Sequence, residues 1–396
     1  MNSMVTEDLA VDVAVIGAGP AGASFARALA PARLSVALVE PRAARPMPSA
    51  GFDQRVYALN RHSRRLLERC GIWQSLSQER IAPVRGMQVF GDDGAKIGFS
   101  AYRCGIPELA AIVEEVNLQQ ALRSTLMVQE DLTLLTGIEC TGARWSDAQA
   151  TLLLSNGGRI KARLVVAADG TESPLRAAAG ISIQSREYAQ VGVVANFQIG
   201  QAHRGIAYQW FLKQGVLALL PLPGNCVSMV WSAPDEHART LLSADAEALA
   251  RMVTEASRGV LGQLQLTVNS TAAGFALRRM RASRLIGPRL ALIGDTAHNV
   301  HPLAGQGLNL GLADAQALAA VLVGRGMESD AGAVSLLRRY ERSRQLDLLA
   351  MEQVTDGLQA LFASDLPGIR QLRNAGLRLT NRINPLKRLL VQQALG

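Results

Sequence analysis

Residues 11–22, VDVAVIGAGPAG, set a short β-branched apolar run directly before Gly17-Ala18-Gly19-Pro20-Ala21-Gly22. Runs of this kind are buried on both faces in parallel sheets, and the following FARALA is a good helix former. A second apolar run, SVALVE at 35–40, completes a β-turn-α-β unit that ends on Glu40. In that context each glycine has a physical reason. Gly17 permits the tight turn, Gly19 lets a pyrophosphate approach the backbone, and Gly22 allows close packing of helix on strand. The helix N-terminus that begins at Pro20 and Ala21 faces the phosphates. Glu40 is placed to accept hydrogen bonds from a ribose diol. The pattern specifies a dinucleotide and leaves open which one, an incidental glycine turn being the alternative.

The choice between NAD and FAD comes from residues 292–309, LIGDTAHNVHPLAGQGLN. A carboxylate just past a buried strand, Asp295 after Gly294, can hold the hydroxyls of a flavin's ribityl chain. The Gly305-Gln306-Gly307 loop can aim backbone N–H groups at the pyrimidine edge of the isoalloxazine, where they stabilise the anionic reduced flavin. Leu308 and Asn309 complete the candidate cofactor-binding set in this segment.

Elsewhere the periodicity predicts helices over 61–70 and 106–127, the latter with Ile112, Val116, Leu118, Leu122 and Leu126 on one face. Strands are expected at 132–139, 150–154 and 160–168. Between about 186 and 280 the pattern shifts to longer strands bounded by glycine and proline, such as VGVVANFQIG and VLALLPLPG. Another strand, LALIGD, follows, and helix prevails from about Gly311. The expected fold is α/β: a discontinuous Rossmann-like domain (1–75, 106–182 and 281–345), an inserted and mainly antiparallel substrate domain (76–105 and 183–280), and basic C-terminal helices (346–396). Trp210, Phe211, Leu217, Leu219, Leu220, Pro221 and Trp231 sit on the middle strands. They are candidates for the walls of an apolar pocket over the flavin, with core packing as the competing reading.

Four segments together resemble the flavoprotein aromatic hydroxylases typified by para-hydroxybenzoate hydroxylase, and more closely their ubiquinone-biosynthesis branch. They are VAVIGAGPAGASFARAL at 13–29, FDQRVYALNRHSRRLLERCGIW at 52–73, VVAADGTESPLR at 165–176 and IGDTAHNVHPLAGQGLNLGLADAQAL at 293–318. The resemblance implies that Asp295 contacts the ribityl chain, that Pro302 lies beside the flavin ring, and that Gly305 to Gly307 line its N1–C2 edge. Arg55 matches a position that reaches the FAD phosphates or the isoalloxazine side. Asp169 and Gly170 match a motif linked to the FAD pyrophosphate and to NAD(P)H. Relatives of this type often carry Asn where this chain has Glu115, so no cofactor contact is assigned there, and Ala where it has Thr296. His298 and His301 invite an acid-base or metal role, but no ligand set surrounds them. Packing or hydrogen bonding within the flavin domain is the competing reading.

By the same resemblance, NADH or NADPH reduces bound FAD, and dioxygen then forms a flavin C4a-hydroperoxide. That species hydroxylates a phenolic, prenylated ring. No residue is identified that deprotonates the phenol. A reductase or halogenase on the same scaffold is the rival enzyme class, although no WxWxIP-like stretch is present. A non-catalytic flavoprotein scaffold is a third reading.

Residues 366–396 carry Arg370, Arg373, Arg378, Arg382, Lys387 and Arg388 with no acid, and hold most of the net charge of +8. Apolar residues recur among them at near-helical spacing, so the tail reads either as a helix docked on its own domain or as a surface for anionic lipid or an acidic partner. No nucleic-acid motif accompanies the charge. The acidic N-terminus does not resemble a signal peptide, and no apolar stretch reaches the ~18 residues that span a bilayer. A cytoplasmic protein, in peripheral contact with the inner membrane or with biosynthetic partners, is the expectation. Four scattered cysteines read as reduced thiols.

Overall fold

The computed structural model describes residues 8–91, 95–268, 270–299, 306–326 and 329–363. Strand Asp8–Ile16 lies at the centre of a sheet, parallel to Arg159–Ala167 on one side and to Val36–Glu40 on the other. Leu132–Thr136 and Leu290–Leu292 extend the parallel order outward. Val13, Ala14 and Val15 have no exposed surface because helices cover this sheet. Residues of uniformly apolar character therefore form its strands. Helix Pro20–Ala28 leaves the glycine turn and packs on helix Gln306–Val323, which carries the chain back from residue 306.

The second sheet is larger and mainly antiparallel. Its order runs His298–Asn299, Ala273–Ala282, Ile183–Ile199, Cys226–Pro234, Gly215–Leu222, Ile206–Leu212, Gly86–Phe90 and Lys96–Ser100. A long helix, Val334–Ala363, follows the cofactor-side elements; the basic tail and residues 1–7 fall outside the described residues. Among the described residues no helix is long and apolar enough to cross a membrane. The expected α/β class with an antiparallel insertion agrees with this architecture.

One expected element differs. Residues 110–114 form a strand, and only Glu115–Met127 is helical, although helix was expected from residue 106. The strand pairs with Val56–Leu59 and Ala82–Val84 in a small three-stranded sheet. The cause is tertiary: Glu114, with no exposed surface, accepts both Nε and Nη2 of Arg80 at 2.7 Å and the Asp53 N–H at 2.5 Å. A buried carboxylate needs such partners, and they hold the backbone extended there.

Candidate active site

The first turn is held by its own neighbourhood. Gly17 has φ +100°, and a Cβ there would lie 2.2 Å from the carbonyl oxygen of Ala168; one on Gly22 would lie 2.0 Å from that of Gly17. Glycine is required at both positions for close packing. Gly19 differs, since no atom lies within 4 Å of its Cβ position, and it caps the helix without a side-chain hydrogen bond. The helix N-terminus therefore opens onto free space suited to an anion. Glu40 Oε2 accepts the Ala18 N–H at 2.8 Å while Oε1 accepts the Arg42 N–H at 3.0 Å, so this carboxylate also clamps the turn.

The second turn lies against the first. Gly294, with φ +62°, has its Cβ position 3.0 Å from the methyl of Ala21, and the Cβ position of Gly311 lies 3.1 Å from the Gly294 Cα. Beneath it sits Asp314, which has no exposed surface. Its carboxylate accepts the Gly294 N–H at 3.0 Å, His298 Nε2 at 2.6 Å and Arg344 Nε at 2.8 Å. Burial alone would raise the Asp314 carboxyl, but His298 and Arg344 outweigh it and hold it below the ordinary carboxylate range. Asp295, the next residue after Gly294, is exposed. Desolvation pushes its carboxyl up, partly offset by His298 and Arg55. His298 is thus a buried support of the turn.

A third turn joins them. Thr296 Oγ1 accepts the Gly170 N–H at 2.9 Å and donates to Asp169 Oδ1 at 3.1 Å. Burial raises the Asp169 carboxyl, and hydrogen bonds from Ser173 and Thr296 counter it. The hydroxyl at 296, where alanine is common in the resembling family, bridges two candidate cofactor segments.

On the adjoining wall the Arg55 guanidinium lies 3.6 Å from Glu115 and 5.9 Å from the Tyr57 ring centroid. Burial pushes the Tyr57 hydroxyl up, Arg55 opposes this, and Glu115 and Asp295 add to it. Arg55, Tyr57, Glu115 and Asp295 therefore share one electrostatic environment. Arg45 bridges Asp53 and Glu115 at 3.0 Å each.

Helix Gln306–Val323 begins at Gln306, and Gly307 has nothing within 4 Å of its Cβ position. Asn309 Oδ1 accepts from Asn60 N–H and Ser63 Oγ, and its Nδ2 donates to the Ala58 carbonyl. The Asn309 side chain is thus spent on packing the helix start against residues 58–63, with Leu308 partly buried beside it. Pro302, Gly305 and His301 lie outside the described residues.

The antiparallel sheet splits its side chains between two environments, as period-two alternation requires. Trp210, Leu217, Leu219 and Trp231 were candidates for a pocket wall with core packing as the competing reading, and they belong to the core. They form a sealed core with Leu241, Leu249 and Val253 of helices Asp235–Ser243 and Ala246–Ala256. Pro221 shares the parity of Leu219. The other face carries Phe211 and Leu220, and Leu220 and Leu222 pack toward Phe52, Val56 and Ala82. On this face Val216, Ala218, Leu220 and Val230 stay half-buried, while Leu217, Leu219 and Met229 across the sheet are completely covered. Asn196 ties the face to the Arg55 loop by donating to the carbonyls of Phe52 and Asp53 at 3.1 and 3.0 Å.

Residues 10–355 match the FAD binding domain family. The chain belongs to this family. The flavoprotein is 34% identical over 392 residues to the ubiquinone hydroxylase UbiL of Rhodospirillum rubrum, covering 98% of this chain and 90% of that one. It is 33% identical to the 3-demethoxyubiquinol 3-hydroxylase of Escherichia coli, covering 97% and 98%. The crystal structure of p-nitrophenol 4-monooxygenase from Pseudomonas putida superposes with a TM-score of 0.79 at 17% identity, over 98% of this chain and 99% of that one, which is a likeness of fold.

FAD fits the described residues of this flavoprotein. The open positions at Gly19 and Gly307 each leave helix-start N–H groups facing space that a Cβ would otherwise narrow. Asp295, exposed, follows Gly294 directly at the chain-crossing formed by Ala21, Gly294 and Gly311. Sequence reasoning missed Gly311, Asp314 and Arg344. A glycine inside a helix is a signal of close approach, and it stood in GLNLGLADA. No local signal marked Arg344.

Proposed function

We propose that this flavoprotein hydroxylates a prenylated phenol in ubiquinone biosynthesis, using NADH or NADPH and dioxygen. The observation that carries the reading is the contact of Ala21, Gly294 and Gly311, which brings the Gly17–Gly22 turn and Asp295 to one place. Two relatives that span nearly the whole chain are a ubiquinone hydroxylase and a 3-demethoxyubiquinol 3-hydroxylase, which supports the substrate class. Bound FAD, once reduced, supplies activated oxygen to an electron-rich ring.

In this reading the start of helix Pro20–Ala28, with Gly19 beneath it, holds the pyrophosphate, and Glu40 takes the ribose. Asp295 takes the ribityl hydroxyls, supported from below by Asp314. Arg55 and the Asp169–Gly170 turn complete the phosphate side. Pro302, Gly305, Gln306 and Gly307 would hold the flavin ring on its pyrimidine side. There, backbone N–H groups offset negative charge on the reduced ring. The half-buried apolar face at Ala218, Leu220 and Val230 excludes water from the substrate ring. The parallel sheet and its helices form the cofactor part of the chain, and the antiparallel sheet with residues 76–105 forms the substrate part.

The test is oxygen uptake by FAD-loaded protein with NADH or NADPH, with and without ortho-geranylphenol. A phenol-stimulated rate and a product heavier by one oxygen atom drawn from dioxygen are expected. Unstimulated oxidation that yields only hydrogen peroxide rejects the reading. The basic tail 366–396 would carry peripheral contact with anionic lipid. Removing it should weaken liposome binding and leave FAD in place, and unchanged liposome binding rejects that role.

A further inference from the structure

On the half-open face of the antiparallel sheet four strands run in register. Gln209 stands opposite Ala218, and Ala218 opposite Val230. The row to one side contains Leu220, Ser228 and Asn196, and the row to the other contains Val216 and Ser232. Directly paired residues project to the same side, so these rows form one continuous surface.

Polar groups interrupt it selectively. Asn196 spends its amide N–H groups on the loop at Phe52 and Asp53, and its Oδ1 and the neighbouring Ser228 Oγ are sealed without a partner. Gln209 is only 8% exposed, yet no described residue hydrogen-bonds its side chain, and its amide atoms are not among the sealed ones. A long polar side chain in a nearly buried apolar setting is costly unless something else satisfies it. Its neighbours Ala218 and Val230 are small or flat and remain half-open, which leaves a shallow floor beside the amide. None of the described side chains in these three rows is charged. A carboxylate brought onto this floor would lose its water with no charged side chain in these rows to replace it.

We propose that Gln209 is a specificity residue that holds a neutral oxygen of the substrate ring, and that the uncharged floor beside it selects phenols lacking a carboxylate. This rests on the aromatic hydroxylase reading above and adds to it which rings are accepted. The amide offers both a donor and an acceptor, which suits a hydroxyl or an ether oxygen. Alanine at 218 leaves room for the ring to lie flat against the strands, a few ångströms from the amide.

The experiment uses the FAD-loaded full chain and two probes, ortho-geranylphenol and the same molecule with a para carboxylate. Binding is read from the perturbed flavin absorbance, and turnover from phenol-dependent NAD(P)H oxidation. The wild-type protein should bind the neutral phenol at least about tenfold more tightly than the carboxylated one. Gln209→Leu should raise the Kd and KM for the neutral phenol about tenfold, with FAD content and melting temperature unchanged. Gln209→Met, of similar volume and greater flexibility, provides a second apolar replacement should the leucine variant fold poorly. Gln209→Arg should narrow or invert the preference between the two probes. Wild-type affinity for the neutral phenol in a folded, FAD-bound Gln209→Leu or Gln209→Met protein overturns the assignment. So does a wild-type preference for the carboxylated ring. If neither probe acts on the wild-type protein, the hydroxylase reading itself falls.

Discussion

Gly17 and Gly294 both adopt positive φ and both follow a strand of the parallel sheet, yet their turns are stabilised in different ways. The Gly17 turn draws on the adjacent strand: Gly17 N–H donates to the Val39 carbonyl and Ala18 N–H to the Glu40 carboxylate, each 22 residues on. The Gly294 turn draws instead on a relay of buried side chains. Asp314 is 20 residues away, and Arg344 pairs with Asp314 from a further 30 residues on. Tyr340 adds a hydrogen bond from its hydroxyl to the Leu292 carbonyl at 2.7 Å. A turn that opens directly into a helix already has free N–H groups pointing outward. A turn that must present a carboxylate has no such help, and a buried ion network beneath it keeps it in shape.

The comparison predicts a larger loss when the buried network is cut than when the glycine turn is distorted. Asp314→Ala leaves the Arg344 guanidinium and His298 without their shared acceptor, and should lower stability by about 3–5 kcal/mol in urea titration, with FAD lost from the purified protein. A loss under about 1 kcal/mol would show that the network is not what holds the turn. Gly17→Ala forces a side chain into φ +100° and against the Ala168 carbonyl, at a cost of about 3 kcal/mol. An alanine variant that retained stability and FAD would break the view of this turn as sterically determined.

Asp295→Asn sharpens the contrast between support and contact. It should weaken FAD binding about thirtyfold by titration of the apoprotein, while urea stability of the apoprotein stays within about 1 kcal/mol. Thr296→Ala should have the smallest effect, about 1 kcal/mol, because it removes one bridge between turns that retain other bonds. A pH series separates the two turns further. The Asp314 carboxyl is held below its unfolded value, so its stabilisation is complete above that value, near pH 4, and is lost as pH falls through the native one. The wild-type protein should therefore lose stability more steeply below about pH 4 than Asp314→Ala, and parallel curves would count against the network.

Much of the site was legible because its logic is local. Strand, glycine turn and helix follow one another within residues 11–28, and the carboxylate of Asp295 closes a second apolar run. The support at Thr296 was present in the sequence but carried no sign of its two partners. The walls of the substrate side were harder to read. In VLALLPL every residue is apolar, so alternation cannot be seen, and one-residue parity decides whether Leu219 or Leu220 faces the cleft. Aromatic size drew attention to Trp210 and Trp231, which are large because they fill the sealed core against two helices. The modest Gln209, next to Trp210 on the opposite face, carried no such signal. The strand at 110–114 was read as helix because its apolar residues also fit a helical face, and Glu114 declared its role only through Arg80.

The amino-acid sequence by itself determined the dinucleotide turn, the placement of an acid after a buried strand, and the alternation of parallel and antiparallel regions. These depend on backbone conformation and on patterns within about 30 residues, which side-chain chemistry dictates directly. Tertiary structure alone decided which face of the antiparallel sheet looks toward the cofactor turns, and which distant charges hold Asp314. Both are outcomes of packing between segments far apart in the chain, where the partner that satisfies a buried group cannot be named until the fold brings it there.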